Sequence, residues 1–304
     1  MAELELASGL REQAHMHIGR RYRWLPFWLL LPSIAVLLAL QVLPTLYSFY
    51  LSTTRMRRGE LELIGLRNFE TLFARRDFWL SLEKTLIYAG AYVLLTVCLG
   101  LMIALLLNRR IKYTGVYLVF IFIPWIISEV VVGTMWRWLF QPSYGIVQNL
   151  ISTYTPFLGD SIFRAPGLAM GVVIGAAVWR GLAFTTLLSL GALQTVPQEI
   201  LESASLDGAN RFRRFFSVIL PIVRPTLLVM ILLTSIQGIN SLGLIVSITR
   251  GEPAGATRTA SYYLIQTGWQ QGDFGMGAAI SVILFFINIT LTLVYIRVIG
   301  RKAD

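Results

Sequence analysis

The chain has 304 residues, 56% of them hydrophobic and only 14% charged, with a mean hydropathy of +0.67 and a formal net charge of +10. A soluble domain carries about 25% charged residues. This deficit, together with several apolar runs longer than about 18 residues, excludes an ordinary water-soluble fold and points to an all-α integral membrane protein. The basic residues stand mostly between apolar runs, with no basic stripe or aromatic-basic motif, which argues against nucleic acid and for membrane lipid as their surroundings.

Residues 1–23 form a polar tail that contains His15 and His17, read as solvated, and ends in Arg20, Arg21 and Arg23. The apolar run at 24–52 is too long for the roughly 7–15 apolar residues of a cleavable signal, so it is the first transmembrane span. Pro32 and Pro44 predict a kink or an unwound turn within it. Five further spans follow at 81–107, 116–140, 168–193, 225–249 and 276–298. Six spans place both termini on one side. With the N-terminus inside, fourteen Lys and Arg fall on inner segments and nine on outer ones, which favours cytoplasmic termini. The dissent is local, since Arg55, Arg57, Arg58, Arg67, Arg75 and Arg76 supply six of the nine. The stretch 53–80 reads as an outer segment with a short surface helix around Phe69, Leu72 and Phe73. The connections 141–167 and 250–275 read as outer loops. Cys98, the single cysteine, excludes an internal disulfide and reads as a small buried hydrophobe.

One polar interruption, 195–225, lies on the inner side between the fourth and fifth spans. Thr195 and Gln198 have the spacing of a capping box, and a short helix at 196–206 should stop at Asp207-Gly208. Asn210 can cap a second helix in which Phe212, Phe215, Phe216 and Ile219 share one face, with Pro221 and Pro225 ending the element. An amphipathic helix lying on the membrane surface is an alternative for the second helix. It leaves the first unexplained, because Glu199 and Glu202 suit a protein surface better than anionic lipid.

Ionisable residues inside spans are candidates for function. Glu129, near the middle of the third span, and Arg180, near the middle of the fourth, should pair or share a wet cavity, either to lock two helices or to touch a solute. In the fifth span Gln237, Asn240 and Ser241 recur at i, i+3 and i+4, positioned to hydrogen-bond a polar solute or to act as glue between helices. Trp136 and Trp179 are weaker candidates for a stacking surface. None of the three lysines, Lys84, Lys112 and Lys302, follows a glycine, so the chain has no P-loop. With both histidines in the tail, a His-based triad or a HExxH zinc site is excluded as well. The chain is read as a non-enzyme that takes its energy from a partner.

Glu202-Ser203-Ala204, Gly208 and Val218-Ile219-Leu220-Pro221 resemble the EAA motif of binding-protein-dependent ABC transporter permeases, with the spacing intact and Ser203 and Val218 as the substitutions. Gly65-Leu66-Arg67-Asn68-Phe69 with Phe78-Trp79, and Trp136-Arg137-Trp138-Leu139-Phe140 followed by Tyr144-Gly145 and Asn149, are similar to segments of the family's sugar branch, in particular its longer, maltose-type permease. Thr249 to Thr257 is similar to that branch's Thr-x-Gly-Gly-Pro loop, but has Gly251-Glu252-Pro253. The resemblance implies a type I ABC importer permease bundle over 24–304, in a bacterial or archaeal cytoplasmic membrane, working by alternating access. It implies a coupling helix made by Glu199, Glu202, Ser203, Ala204, Asp207 and Gly208. The partners implied are a second homologous permease, two cytoplasmic ATPase subunits that bind the ATP and Mg, and an extracytoplasmic solute-binding protein. No cofactor is expected in this chain. Polar residues before the Thr-x-Gly-Gly-Pro loop touch sugar in the maltose-type permease, which by resemblance brings Gln237, Asn240 and Ser241 forward. The competing class is a self-contained secondary transporter or channel. Six spans without an evident internal repeat argue against it.

Overall fold

The computed structural model describes residues 25–57, 59–109, 112–155 and 161–300; the polar tail with His15 and His17 lies outside them. The chain divides into two compact units, Met1–Leu51 and Ser52–Asp304.

The first span is a helix in two parts, α1 (Leu25–Leu37) and α2 (Leu43–Ser52), joined by a π turn over Leu38–Val42. Pro32 is absorbed inside α1. Pro44 has no N–H and its ring crowds the carbonyl four residues back. The chain widens just before it, and Leu43 N–H bonds the Leu38 carbonyl.

In the second unit the stretch 53–80 is more built than a surface helix. Strands β1 (Thr54–Arg57) and β2 (Glu60–Leu63) pair antiparallel, and Gly59 takes φ +88 at their turn. Opposing Arg55 with Glu62 and Arg57 with Glu60 sets unlike charges across the ladder, so two of the six local arginines face acidic partners within the hairpin. Helix α3 (Arg67–Ala74) then buries Leu72 completely. Its Asn68, also buried, donates to the Ser52 and Thr54 carbonyls at 2.8 Å each. Asn68→Ala removes both buried donations and should lower stability by about 2 kcal/mol, read as a reduced Tm of the detergent-purified protein.

The long helices α4 (Arg76–Leu107) and α8 (Pro166–Gln194) form the central crossing. Small residues permit it: a Cβ on Gly100 would collide with Thr185, and one on Gly181 would lie 2.7 Å from the Tyr92 hydroxyl oxygen. Cys98 is exposed on α4 rather than buried, beside the exposed Leu94, Leu95 and Met102. An apolar run in a membrane helix has no polar side to reveal which face packs inward.

The third span is not one helix. It splits into α5 (Thr114–Ile126) and α6 (Glu129–Leu139), bent by 95°. Pro124 weakens the last turn of α5, and Ile127 and Ser128 are both extended, with ψ 137 and ψ 143. The connection between the third and fourth spans carries α7 (Ile146–Tyr154) and a 3-10 turn at Ile162–Arg164. The polar interruption carries α9 (Gln198–Leu206) and α10 (Arg211–Arg214). The fifth span also breaks: α11 (Leu220–Ile239) ends before Asn240, and α12 (Gly243–Ile248) follows. The connection between the fifth and sixth spans contains α13 (Ala260–Ile265) and a π turn over Gln266–Gln270, with Ala260, Ser261, Tyr262, Tyr263 and Thr267 buried. The last span is α14 (Phe274–Gly300). Among the described residues five helical stretches are long and apolar enough to cross a membrane, or six if the bent pair counts as one.

The loop between α12 and α13 explains its departure from the glycine-glycine pattern. Gly251 has φ +83, and a Cβ there would lie 2.7 Å from the Tyr262 ring, so this glycine is required. The next position, Glu252, needs only its carbonyl, which accepts from the Thr257 hydroxyl at 3.0 Å.

Candidate functional site

Tyr88 and Tyr92 stand one turn apart on α4 with their rings stacked at 6.2 Å and 7°. They form one wall of a cavity of about 440 Å³. Across from them come Gln237 near the end of α11, Asn240 and Ser241 in the break, and Leu244 on α12; Glu129, Arg180 and Trp125 complete the polar side. All five substrate-path candidates from the sequence therefore line one space. They reach it differently from expectation, because Asn240 and Ser241 lie beyond the helix end instead of on its face. The break seats itself through two glycines. A Cβ on Gly238 would come within 3.2 Å of Ala89 on α4, and one on Gly243 within 2.7 Å of Glu129 Cβ on α6.

The corner at Ile127–Ser128 organises the charges. Arg180 Nε donates to the Ile127 carbonyl at 3.3 Å, at the negative end of α5, and its Nη1 lies 3.4 Å from Glu129 Oε1. Glu129 opens the first turn of α6, where the helix end is positive. Each charge thus meets a favourable helix terminus as well as its partner. The side chains retain 26% and 35% exposure, toward the cavity. Tyr88 donates to Ser241 at 3.0 Å and Tyr92 to Gln237 at 3.4 Å.

Sequence reasoning missed Tyr88, Tyr92 and Trp125. The i, i+4 tyrosine spacing on α4 was the available signal. Trp136 and Trp179 instead pack against each other, at 6.2 Å, on the apolar cluster that contains Val173 and Ile245.

The elbow at α9 and α10 is the second candidate. The expected capping box is absent: Pro197 occupies the N-cap of α9, the Thr195 hydroxyl donates back to the Ala192 carbonyl at 2.8 Å, and Gln198 donates to Glu202 at 2.8 Å. At the other end Gly208 takes φ +74, and Ala209 N–H closes on the Ala204 carbonyl at 3.0 Å. Asn210 Oδ1 caps α10 by accepting from Arg213 N–H at 2.8 Å, and Arg214 donates to Ser205 at 2.7 Å to brace the two helices. Glu199, Glu202, Ser203, Asp207 and Gly208 are exposed and Ala204 is half-buried.

Pro221 and Pro225 do not end the element. A π turn over Phe215–Ile219 bonds Leu220 N–H to Phe215 O and carries the helix past Pro221, as at Pro44. The wider turn also breaks the expected aromatic stripe. Ile219 packs on the cluster around Leu193 and Val223, whereas Phe212 and Phe216 are 77% and 61% exposed.

The family model for the binding-protein-dependent transport system inner membrane component matches residues 96–302. The chain belongs to that family. Three relatives align along nearly their whole length. The trehalose/maltose transport system permease protein MalF of Thermococcus litoralis is 34% identical, covering 91% of this chain and 94% of the relative. The sulfoquinovosyl glycerol transport system permease protein SmoG of Agrobacterium fabrum is 29% identical over 90% of each. The sn-glycerol-3-phosphate transport system permease protein UgpA of Yersinia pestis is 29% identical, covering 92% and 95%. A chain in the crystal structure of a bacterial alginate ABC transporter, in complex with its alginate pentasaccharide-bound periplasmic protein, superposes with a TM-score of 0.78 at 22% identity, over 92% and 94% of the two chains. It supports the fold.

The protein is therefore a multi-pass membrane permease subunit of a binding-protein-dependent importer, a transport subunit and not an enzyme. In this permease the matched region contains the elbow, the Glu129–Arg180 pair and the break at Asn240. Tyr88 and Tyr92 lie ahead of it.

Proposed function

We propose that the permease passes a neutral sugar or polyol through the cavity between Tyr88, Tyr92, Arg180, Gln237, Asn240 and Ser241. The observation that carries this reading is the lining itself: two stacked phenol rings face amides, a hydroxyl and a compensated ion pair in about 440 Å³. Amide and hydroxyl groups suit a sugar's hydroxyls, and the two buried tyrosines hold Ser241 and Gln237 in place behind them. The relatives' names supply disaccharides, a sulfonated glycoside and glycerol phosphate as precedents. Among these a neutral solute fits best, because Arg180 is already answered by Glu129 and leaves no spare cation for a phosphate or sulfonate.

In this reading a solute-binding protein delivers the sugar from outside and a second permease closes the pathway. Two ATPase subunits, which hold the ATP and Mg, dock on α9 at the cytoplasmic face, where both termini also lie. Their closure switches the cavity between outward and inward access. The test is uptake by the reconstituted complex with its binding protein, across maltose, trehalose, glycerol and sn-glycerol-3-phosphate. A neutral member should be imported and the phosphate rejected; import of the phosphate alone would overturn the neutral assignment. Asn240→Ala should raise the apparent KM for the imported sugar by about tenfold, the loss expected for a hydrogen bond in a closed site.

A further inference from the structure

Asn240 has a partner that lies outside the cavity lining. Its Nδ2 donates to the Ile236 carbonyl at 2.7 Å and to Asn288 Oδ1 at 3.1 Å. Asn288, on α14, donates in return from Nδ2 to Asn240 Oδ1 at 3.3 Å and to the Leu284 carbonyl at 2.9 Å. Both amide orientations are determined by the chain, because turning either one over would set its oxygen against a backbone carbonyl oxygen. Both N–H groups of Asn240 are therefore engaged, and what its amide still offers is acceptor capacity on Oδ1. Asn240 lines the cavity, whereas Asn288 lines a separate space of about 330 Å³ together with Ser261, Ser281 and Phe285. Asn240 is common to the two linings and forms the partition between them. Gln237 and Ser241 are held by tyrosines of the cavity wall; Asn240 alone of the three is held from behind.

We propose that Asn288 is a positioning residue for transport: it fixes the Asn240 amide so that this residue meets the solute only as a hydrogen-bond acceptor and selects a solute hydroxyl that donates. This rests on the reading of the cavity as the sugar site. An amide pair that merely glues α11 to α14 would affect stability and leave solute affinity alone.

The experiment uses the full complex in proteoliposomes, with the member of the sugar panel that the wild type imports as the probe. Asn288→Ala should raise the apparent KM by about three- to tenfold with kcat within about twofold, since the lost term is one hydrogen bond's worth of orientation. In the Asn240→Ala background, Asn288→Ala should add less than about a twofold change, because a positioning residue acts through the group it positions. Asn288→Leu, of similar volume and suited to the neighbouring Leu284 and Phe285, keeps the test open if the alanine variant fails to assemble, and should shift KM in the same direction. An unchanged KM in Asn288→Ala or Asn288→Leu beside a raised KM in Asn240→Ala overturns the positioning role and leaves the cavity assignment standing. So does an additive effect in the double variant. An unchanged KM in Asn240→Ala overturns the cavity assignment, and the positioning role with it.

Discussion

Arg180→Gln and Glu129→Gln should each cut sugar import at least about tenfold and lower the Tm of the complex, while the double variant should be more stable than either single one. Removing one partner leaves the other charge stranded between helices, with only a helix terminus for compensation. For a fully buried pair that loss is about 3–5 kcal/mol; with a quarter to a third of each side chain open to the cavity, water takes up part of it, and about 2 kcal/mol is expected here. Replacing both with neutral amides removes the stranded charge, so the cycle should be non-additive. Thermal melting and uptake on all four proteins decide it. Equal Tm values across the set would mean that the pair holds nothing.

On the proposed docking of ATPase subunits at α9, Glu202→Lys should release them from the purified complex and abolish import. Glu202 is exposed on a helix none of whose residues is buried, at a position that the elbow holds outward through Gly208 and the Arg214–Ser205 brace. Reversing a charge at a docking surface exchanges an attraction for a repulsion, worth about 3 kcal/mol or roughly a hundredfold in affinity. Co-purification of tagged permease with its ATPase reads the outcome directly. Retention at wild-type stoichiometry would move the docking surface away from α9. The exposed Phe212 and Phe216 would then be the next residues to test.

Much of this architecture was legible because lipid imposes simple requirements. Long apolar runs located the spans, and the cost of charge in hydrocarbon singled out Glu129 and Arg180, which pair. Gly208 and Asn210 announced the elbow, since a left-handed turn and a side-chain cap each favour few residue types. The breaks in the third and fifth spans stayed hidden for the converse reason. Hydropathy runs on through Ile127 and Leu242, and the composition of an apolar chain does not register whether its backbone is helical or extended. Helix α13 is only six residues long among glycines and threonines, and the β hairpin has four-residue strands dense with charge, so neither offered a long enough period. The capping box failed because Pro197, which lies between its two residues, took the cap position itself. Asn288 could not be chosen from sequence, as its role exists only through a residue 48 positions away.

The π turn at Phe215–Ile219 has a mechanical consequence. Because it carries the helix past Pro221 without a gap, Arg211 to Ile239 is one uninterrupted rod, about 40 Å long at 1.5 Å per residue. One end begins at the elbow beside Gly208, and the other ends between Gln237 and Asn240. With α9 as the docking surface proposed above, a displacement at the elbow would be passed along this helix toward the cavity that Gln237 and Asn240 line. The helix stops at Ile239 and resumes at Gly243, so the displacement would arrive where Asn240 is held by Asn288.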